Sequence, residues 1–149
     1  GFLPGWSGEK SYIRFIHPDL LVEFLVPEKG KGIDKPYPLP QLGVNAQALR
    51  FLNFLTDNVI QIKVENIQIR VPHPANFALH KLIIAQRRNN PDKSSKDREA
   101  AIKILKALIE KNEVNIIKKV FKNVPQKWQK KIIQGLKEID DEAIEGIVG

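Results

Sequence analysis

The 149-residue chain contains neither cysteine nor methionine. The lack of cysteine excludes disulfides, thiolate zinc sites and cysteine nucleophiles. The chain also has no run of about 18 apolar residues, the length that a membrane-spanning helix needs, and its first residues do not resemble a signal peptide. We therefore expect a cytoplasmic protein with no membrane partner. Because no initiator methionine is present, we also expect the chain to be a piece of a longer protein.

What is present is typical of a globular protein, with 42% hydrophobic and 28% charged residues. The formal net charge is +7. Such a charge suits a polyanionic partner, because lysine and arginine gain affinity by releasing counterions from phosphates. It is equally compatible with a solvated basic surface. The sequence carries no signal of oligomeric state.

Short apolar runs near the start predict a β-hairpin. Residues 11–16 and 20–26 are rich in aromatic and β-branched residues, and His17-Pro18-Asp19 separates them as a turn. The second run is apolar on both alternating faces except at Glu23, which predicts a central strand that is covered on each side. Residues 27–43 are rich in glycine and proline and predict a long surface loop.

The remainder predicts one more hairpin and a series of helices. Asn45 is a plausible cap for a helix over residues 46–56. Clean alternation around Glu65-Asn66 predicts the second hairpin, with one face in water. Helices are predicted over residues 75–88, from Ser94 or Ser95 through Leu108, over 113–123 and over 126–138.

This order of elements predicts an α+β fold. We expect a small antiparallel or mixed sheet of two hairpins, packed by helices and followed by a helical C-terminal tail. The predicted division places an α/β core in residues 1–92. A helical region, residues 93–149, is predicted to pack on that core.

Glu23 is the most informative single residue, because a carboxylate in a buried strand is costly unless it is paired or binds a metal. Arg14 lies on the neighbouring strand of the predicted hairpin, where it can form a cross-strand ion pair with Glu23. Metal binding by Glu23 is the other interpretation, and the sequence leaves both open.

Basic residues cluster around the predicted buried helix. Lys81 lies on this helix, Arg87 and Arg88 follow it, and Lys96-Asp97 comes after the turn. Lys81 either extends along its aliphatic stem to the surface or belongs to a phosphate-binding group with the two arginines.

A second basic region spans the last two long helices. Lys127, Lys130 and Lys131 follow three other lysines on the preceding helix. Trp128 shares a helical stripe with Ile132 and Leu136, which favours core packing over base stacking. The lysines form either a solvated face or a nucleic-acid-binding patch.

Taken together, several segments resemble the later, C-terminal half of bacterial nucleotidyltransferase-like proteins of the DNA polymerase β superfamily, related to the abortive-infection toxin nucleotidyltransferases. The resemblance spans residues 11–105 approximately, and no single segment is specific alone. The segments are Leu21–Pro27, Asn45–Leu49, Ile69–Pro74, and Phe77–Leu82 through Arg87-Arg88 to Lys96-Asp97.

The resemblance implies a Mg²⁺-dependent transferase that uses an NTP as substrate and an unidentified acceptor, with RNA and protein as the candidates. Family members hold metal ions with a carboxylate pair and a third carboxylate, and Glu23 matches the third as catalytic and metal-binding residue. Nothing in the chain matches the pair, so we expect a partial nucleotidyltransferase fold that is inactive alone.

The same resemblance gives roles to the basic cluster. Lys81 is expected to bind phosphate or support the site, and Arg87 and Arg88 to stabilise charge on the nucleotide. Arg14, Lys96 and Asp97 are expected to be supporting residues. The alternative is a non-catalytic basic module that binds RNA or another protein.

Overall fold

The computed structural model describes residues 1–7, 12–28, 36–139 and 141–148. The chain divides into two compact units, Gly1–Asn53 and Phe54–Gly149. The first unit consists mainly of strands, and the second consists of one hairpin followed by helices. The predicted α+β class is confirmed. The predicted division between residues 1–92 and 93–149 stays a prediction.

The described residues of the first unit form two three-stranded sheets. The first sheet is antiparallel in the order β1-β2-β3. In the second sheet β6 is central, parallel to β4 and antiparallel to β5. The strands are β1 (Leu3–Ser7), β2 (Tyr12–His17), β3 (Leu20–Glu23), β4 (Leu25–Pro27), β5 (Tyr37–Leu39) and β6 (Val44–Leu49), with a 3-10 helix at Pro40–Leu42.

The predicted first hairpin is confirmed, because β2 and β3 pair across the turn at residues 18–19. The prediction of one buried central strand over residues 20–26 is wrong. The run breaks at Phe24, and its two parts join different sheets. Leu20 and Leu21 are 55% and 50% exposed, because within the described residues β3 pairs only with β2.

The predicted helix over residues 46–56 is also wrong. The strand β6 occupies its first part, and the helix α1 is limited to Leu52–Thr56. Val44 and Ala46 are buried whereas Gln47 is exposed, so the apolar positions fit a strand period of two. Pairing with strands on both sides then decides the conformation against the helical pattern.

In the second unit, the end of α1 is followed by the hairpin of β7 (Val59–Val64) and β8 (Ile67–Pro72), as predicted. The apolar face of this hairpin is more exposed to solvent than expected. Val64 and Ile67, which lie on that face, are 50% and 65% exposed. The helices that follow are α2 (Pro74–Ala85), α3 (Pro91–Glu110), α4 (Val114–Asn123), α5 (Gln126–Lys137) and α6 (Glu142–Glu145).

The helix α2 is the centre of this unit and packs against α3, α4 and α5. The prediction that it is buried on nearly all sides is confirmed, since Leu79, Leu82 and Ile83 are at most 1% exposed. Gly135 lets α5 approach closely: a Cβ there would lie 3.1 Å from the Leu82 Cβ. Fully buried side chains on the helices that pack against α2 include Leu105, Ile117, Ile132 and Leu136.

The start of α3 differs from its prediction. The helix begins at Pro91, and the Asn90 side chain accepts a hydrogen bond from the Lys93 N–H at 3.1 Å. Ser94, a predicted cap, instead donates its hydroxyl to the Ala85 carbonyl at 2.8 Å. This bond ties the first turn of α3 to the last residue of α2.

Candidate functional site

Three of the residues predicted from sequence meet at one buried carboxylate. The side chain of Asp97, on α3, is only 8% exposed. Lys81 Nζ lies 2.6 Å from its Oδ1 atom, and Arg88 Nε lies 2.9 Å from its Oδ2 atom. Each carboxylate oxygen therefore accepts a hydrogen bond from a different cation. We call these three residues the Asp97 cluster.

The positions of the cluster follow from the two helices and the segment between them. Lys81 lies on the half-buried side of α2, where its ammonium group is also 5.3 Å from the centre of the Phe77 ring. Arg88 follows the end of α2, and Asp97 lies two turns into α3, counted from the Asn90 cap. Close packing of α2 against α3 brings all three together.

The electrostatics of the cluster favour an ionised carboxylate. Burial acts to raise the pKa of Asp97, but the hydrogen bonds and positive charges of Lys81 and Arg88 outweigh burial and hold that pKa below its usual value. Two cations around one carboxylate leave the cluster with one net positive charge.

The two cations keep donors for a further ligand. Their side chains are 25% and 38% exposed, for Lys81 and Arg88 respectively. An ammonium group has three N–H donors and a guanidinium group has five, and each hydrogen bond to Asp97 uses one. Such donors suit the oxygens of a phosphate group.

The other two residues of the predicted basic group do not belong to the Asp97 cluster. Arg87 and Lys96 are exposed, and the two ion pairs of Asp97 involve neither of them.

Glu23 and Arg14 form the cross-strand ion pair that is one of the two interpretations of Glu23 left open by the sequence. The two residues are direct partners across β2 and β3, and Arg14 Nε lies 2.6 Å from Glu23 Oε1. The contact does not have hydrogen-bond geometry at that nitrogen. Both side chains are 38% exposed, so the predicted burial of Glu23 is wrong.

The exposure of Glu23 follows from the alternation of half-buried and exposed side chains along residues 21–26. Val22, Phe24 and Val26 are half-buried, whereas Leu21, Glu23 and Leu25 are exposed. Glu23 therefore belongs to the outward set, and its carboxylate is accessible to solvent and to ligands.

Sequence reasoning missed a second acidic residue in this unit. Glu28, assigned to the surface loop, has a side chain that is only 11% exposed and forms an ion pair with Arg50. Its N–H also donates to the Leu49 carbonyl at 3.2 Å. The half-buried positions Val22, Phe24 and Val26 recur every second residue, and the next such position is Glu28. This period of two could have predicted that Glu28 faces inward.

The residues that the structure describes do not form a complete magnesium site. No group of three or more histidine, cysteine, aspartate or glutamate residues among them is arranged to hold a metal ion. Glu23 is one accessible carboxylate beside an arginine, and Asp97 is occupied by two cations. Mg²⁺ requires more oxygen ligands than Glu23 alone supplies.

The predicted basic patch lies on α5. Lys127 and Lys130 are exposed, and Lys131 is half-buried. Trp128 packs edge-on against Phe54, with ring centres 5.8 Å apart, in accordance with its predicted core position.

A family model described as nucleotidyltransferase matches residues 7–124. The chain belongs to this nucleotidyltransferase family. The matched residues include Glu23 and the whole Asp97 cluster, and the match ends before α5. No curated protein and no solved structure matches the chain. None of the helices in the described ranges has the length and apolar character needed to cross a bilayer.

Proposed function

We propose that the intact protein transfers a nucleotidyl group from an NTP to an acceptor hydroxyl on RNA or protein, with Mg²⁺ as cofactor. The observation that carries this proposal is the Asp97 cluster, which lies within the part of the chain that matches the nucleotidyltransferase family. In this reaction the acceptor oxygen bonds to the α-phosphorus, the bridging P–O bond breaks, pyrophosphate leaves, and a base takes the hydroxyl proton.

Lys81 and Arg88 are the proposed triphosphate-binding residues. Asp97 holds both in fixed positions through the two hydrogen bonds, so little side-chain ordering remains to be done when the nucleotide binds. Asp97 is thus a positioning residue. Arg87 and Lys96 are exposed, and they directly precede Arg88 and Asp97 in the sequence. We propose that they add positive charge around the nucleotide.

Glu23 is proposed as a catalytic carboxylate and magnesium ligand. Its support is its accessibility and its place within the family match, with Arg14 as its positioning partner. The paired metal-binding carboxylates of family members have no match in the sequence of this chain. The 149-residue chain is therefore expected to bind an NTP without transferring it.

Nucleotide binding tests the Asp97 cluster directly in this chain. We expect Lys81→Gln and Arg88→Gln each to weaken NTP binding by roughly 10-fold or more, because each removes a charge-assisted hydrogen bond. Titration calorimetry with each of the common NTPs measures this. Lys103→Gln is the matched control, since it removes one exposed positive charge from α3 away from the cluster. An equal loss in the control would reject the cluster as the binding site.

Transfer itself is tested with the intact protein, radiolabelled NTPs, Mg²⁺ and either total RNA or total protein. The expected result is a labelled acceptor, and Glu23→Ala should abolish the label. Unchanged labelling by this variant would reject the role of Glu23. A complete lack of labelling would favour the non-catalytic interpretation of the protein.

A further inference from the structure

The segment that contains α4 and α5 has charge of one sign only. Residues 114–137 include seven lysines and not one aspartate or glutamate. The helix α3 differs, because Pro91–Glu110 carries five basic and four acidic residues. Mixed signs are typical of an ordinary solvated helix, whereas an acid-free lysine surface is typical of a polyanion-binding one.

The exposed residues of this segment are exclusively lysine, asparagine, glutamine and proline. Five of the seven lysines are exposed, and within the described ranges none of the seven forms an ion pair. We call the exposed five the lysine face: Lys119, Lys122, Lys127, Lys130 and Lys137.

Lys122 and Lys137 lie in the last turns of α4 and α5, where the helix dipole favours a cation, but other lysine positions are unfavourable for the isolated helices. Lys118 and Lys122 are four residues apart, as are Lys127 and Lys131, and like charges at this spacing repel. Lys127 also lies in the first turn of α5, where the helix dipole disfavours a cation. Neither helix has an acidic residue in its first turn to compensate.

The two helices form a fixed platform for this charge. Both pack on α2, with Ile117 and Ile132 fully buried. The Gln129 side chain donates to the Val124 carbonyl at 3.0 Å and to the Lys122 carbonyl at 3.4 Å. These bonds bring the last turn of α4, which contains Lys122, beside the first turn of α5, which contains Lys127.

We infer that the lysine face binds the phosphodiester backbone of nucleic acid without reading its sequence. Ammonium groups on a rigid surface match closely spaced phosphates, and they gain affinity by releasing counterions. The aromatic residues of the segment, Phe121 and Trp128, are not exposed. Base stacking, which single strands use, is therefore not offered, and a duplex with its higher charge density is preferred.

The composition of the face disfavours two other partners. A membrane-binding helix presents apolar or aromatic residues beside its lysines, and the exposed residues here include no such side chain. Protein interfaces depend on aromatic and arginine anchors and are depleted in lysine.

The test is equilibrium binding by the full 149-residue chain, without NTP, to fluorescent duplex RNA, duplex DNA and single-stranded RNA of equal length. Both duplexes should bind, with a logarithmic salt dependence of about −4.5 if all five exposed lysines contact phosphates. Lys127→Gln/Lys130→Gln should reduce the slope by about 1.8 and weaken binding.

The matched control is Lys93→Gln/Lys103→Gln, which removes the same charge from the exposed surface of α3. This double variant should leave the slope unchanged. Equal losses in the two double variants would overturn the assignment to the lysine face, as would salt-independent binding or none. Tighter binding to single strands, to poly-glutamate or to anionic lipid vesicles would overturn the choice of partner.

The inference does not depend on nucleotidyl transfer, because the binding assay contains neither NTP nor Mg²⁺. Glu23→Ala should bind the duplexes as the original chain does. Circular dichroism of each variant verifies that the helices are retained, so a loss of binding is assigned to the removed charge.

Discussion

The two candidate carboxylates, Glu23 and Asp97, differ in burial and in the number of cations that they contact. Glu23 is 38% exposed and faces one arginine, whereas Asp97 is 8% exposed and is held by two cations. An exposed carboxylate is well solvated and loses little when its partner is removed. A buried one depends on its partners for its charge.

The difference separates two kinds of functional residue. Glu23 retains an accessible carboxylate and can act on a ligand directly. Asp97 is buried and has each oxygen hydrogen-bonded to a cation, so it is placed to act through Lys81 and Arg88. Residue type does not distinguish these roles, since each residue is an acid whose basic partners lie elsewhere in the chain.

The largest expected effect comes from removing the buried carboxylate. Asp97→Ala should lower the free energy of unfolding by about 3 kcal/mol, because it leaves two neighbouring cations without their counter-charge. Urea unfolding monitored by circular dichroism measures this. Glu23→Ala, the matched variant, should cost far less, and equal losses would break the comparison.

Acid should reduce the contribution of Asp97 to the stability of the fold. The folded-state pKa of Asp97 lies below its ordinary value, so its contribution to stability is complete above about pH 4 and is lost as the pH falls through the lower folded pKa. Unfolding measured from pH 6 to pH 2 should show this loss. Asp97→Asn should flatten the profile, and an unchanged profile would contradict the assignment.

Removal of the partner arginine should also destabilise the fold more at Asp97 than at Glu23. Arg88→Gln should cost about 1.5 kcal/mol, since it removes one charged hydrogen bond from a buried acceptor that keeps Lys81. Arg14→Gln removes the partner of an exposed carboxylate and should cost less than about 0.5 kcal/mol. Thermal and urea unfolding of the two variants measure both losses of stability. A larger loss for Arg14→Gln would reverse the comparison.

The smallest expected effect is that of Glu23→Gln. We expect a change in the free energy of unfolding within about 0.5 kcal/mol, because the residue is exposed and remains a polar strand residue. The same variant in the intact protein should lose nucleotidyl transfer. Loss of folding instead of activity would show that Glu23 is structural.

Local patterns predicted much of the second unit. The hairpin around Glu65-Asn66 and the helices α2, α4 and α5 follow the predicted ranges closely. Their periodicities extend over many residues, so local and tertiary preferences agree.

The first unit was predicted less well. Its strands are short, and residues 46–56 carry a stripe that fits either period. Pairing of β6 with partners distant in the sequence decided the outcome. The buried position of Glu28 depends on the same sheet.

The sequence by itself determined the α+β order, the Arg14–Glu23 pairing across a tight turn, and the acid-free lysine segment, because each depends on residues near one another in the chain. Only the tertiary structure decided that Glu23 faces outward and that Asp97 joins Lys81 to Arg88. Burial and helix packing bring together residues 9 to 16 positions apart, and no local pattern specifies that contact.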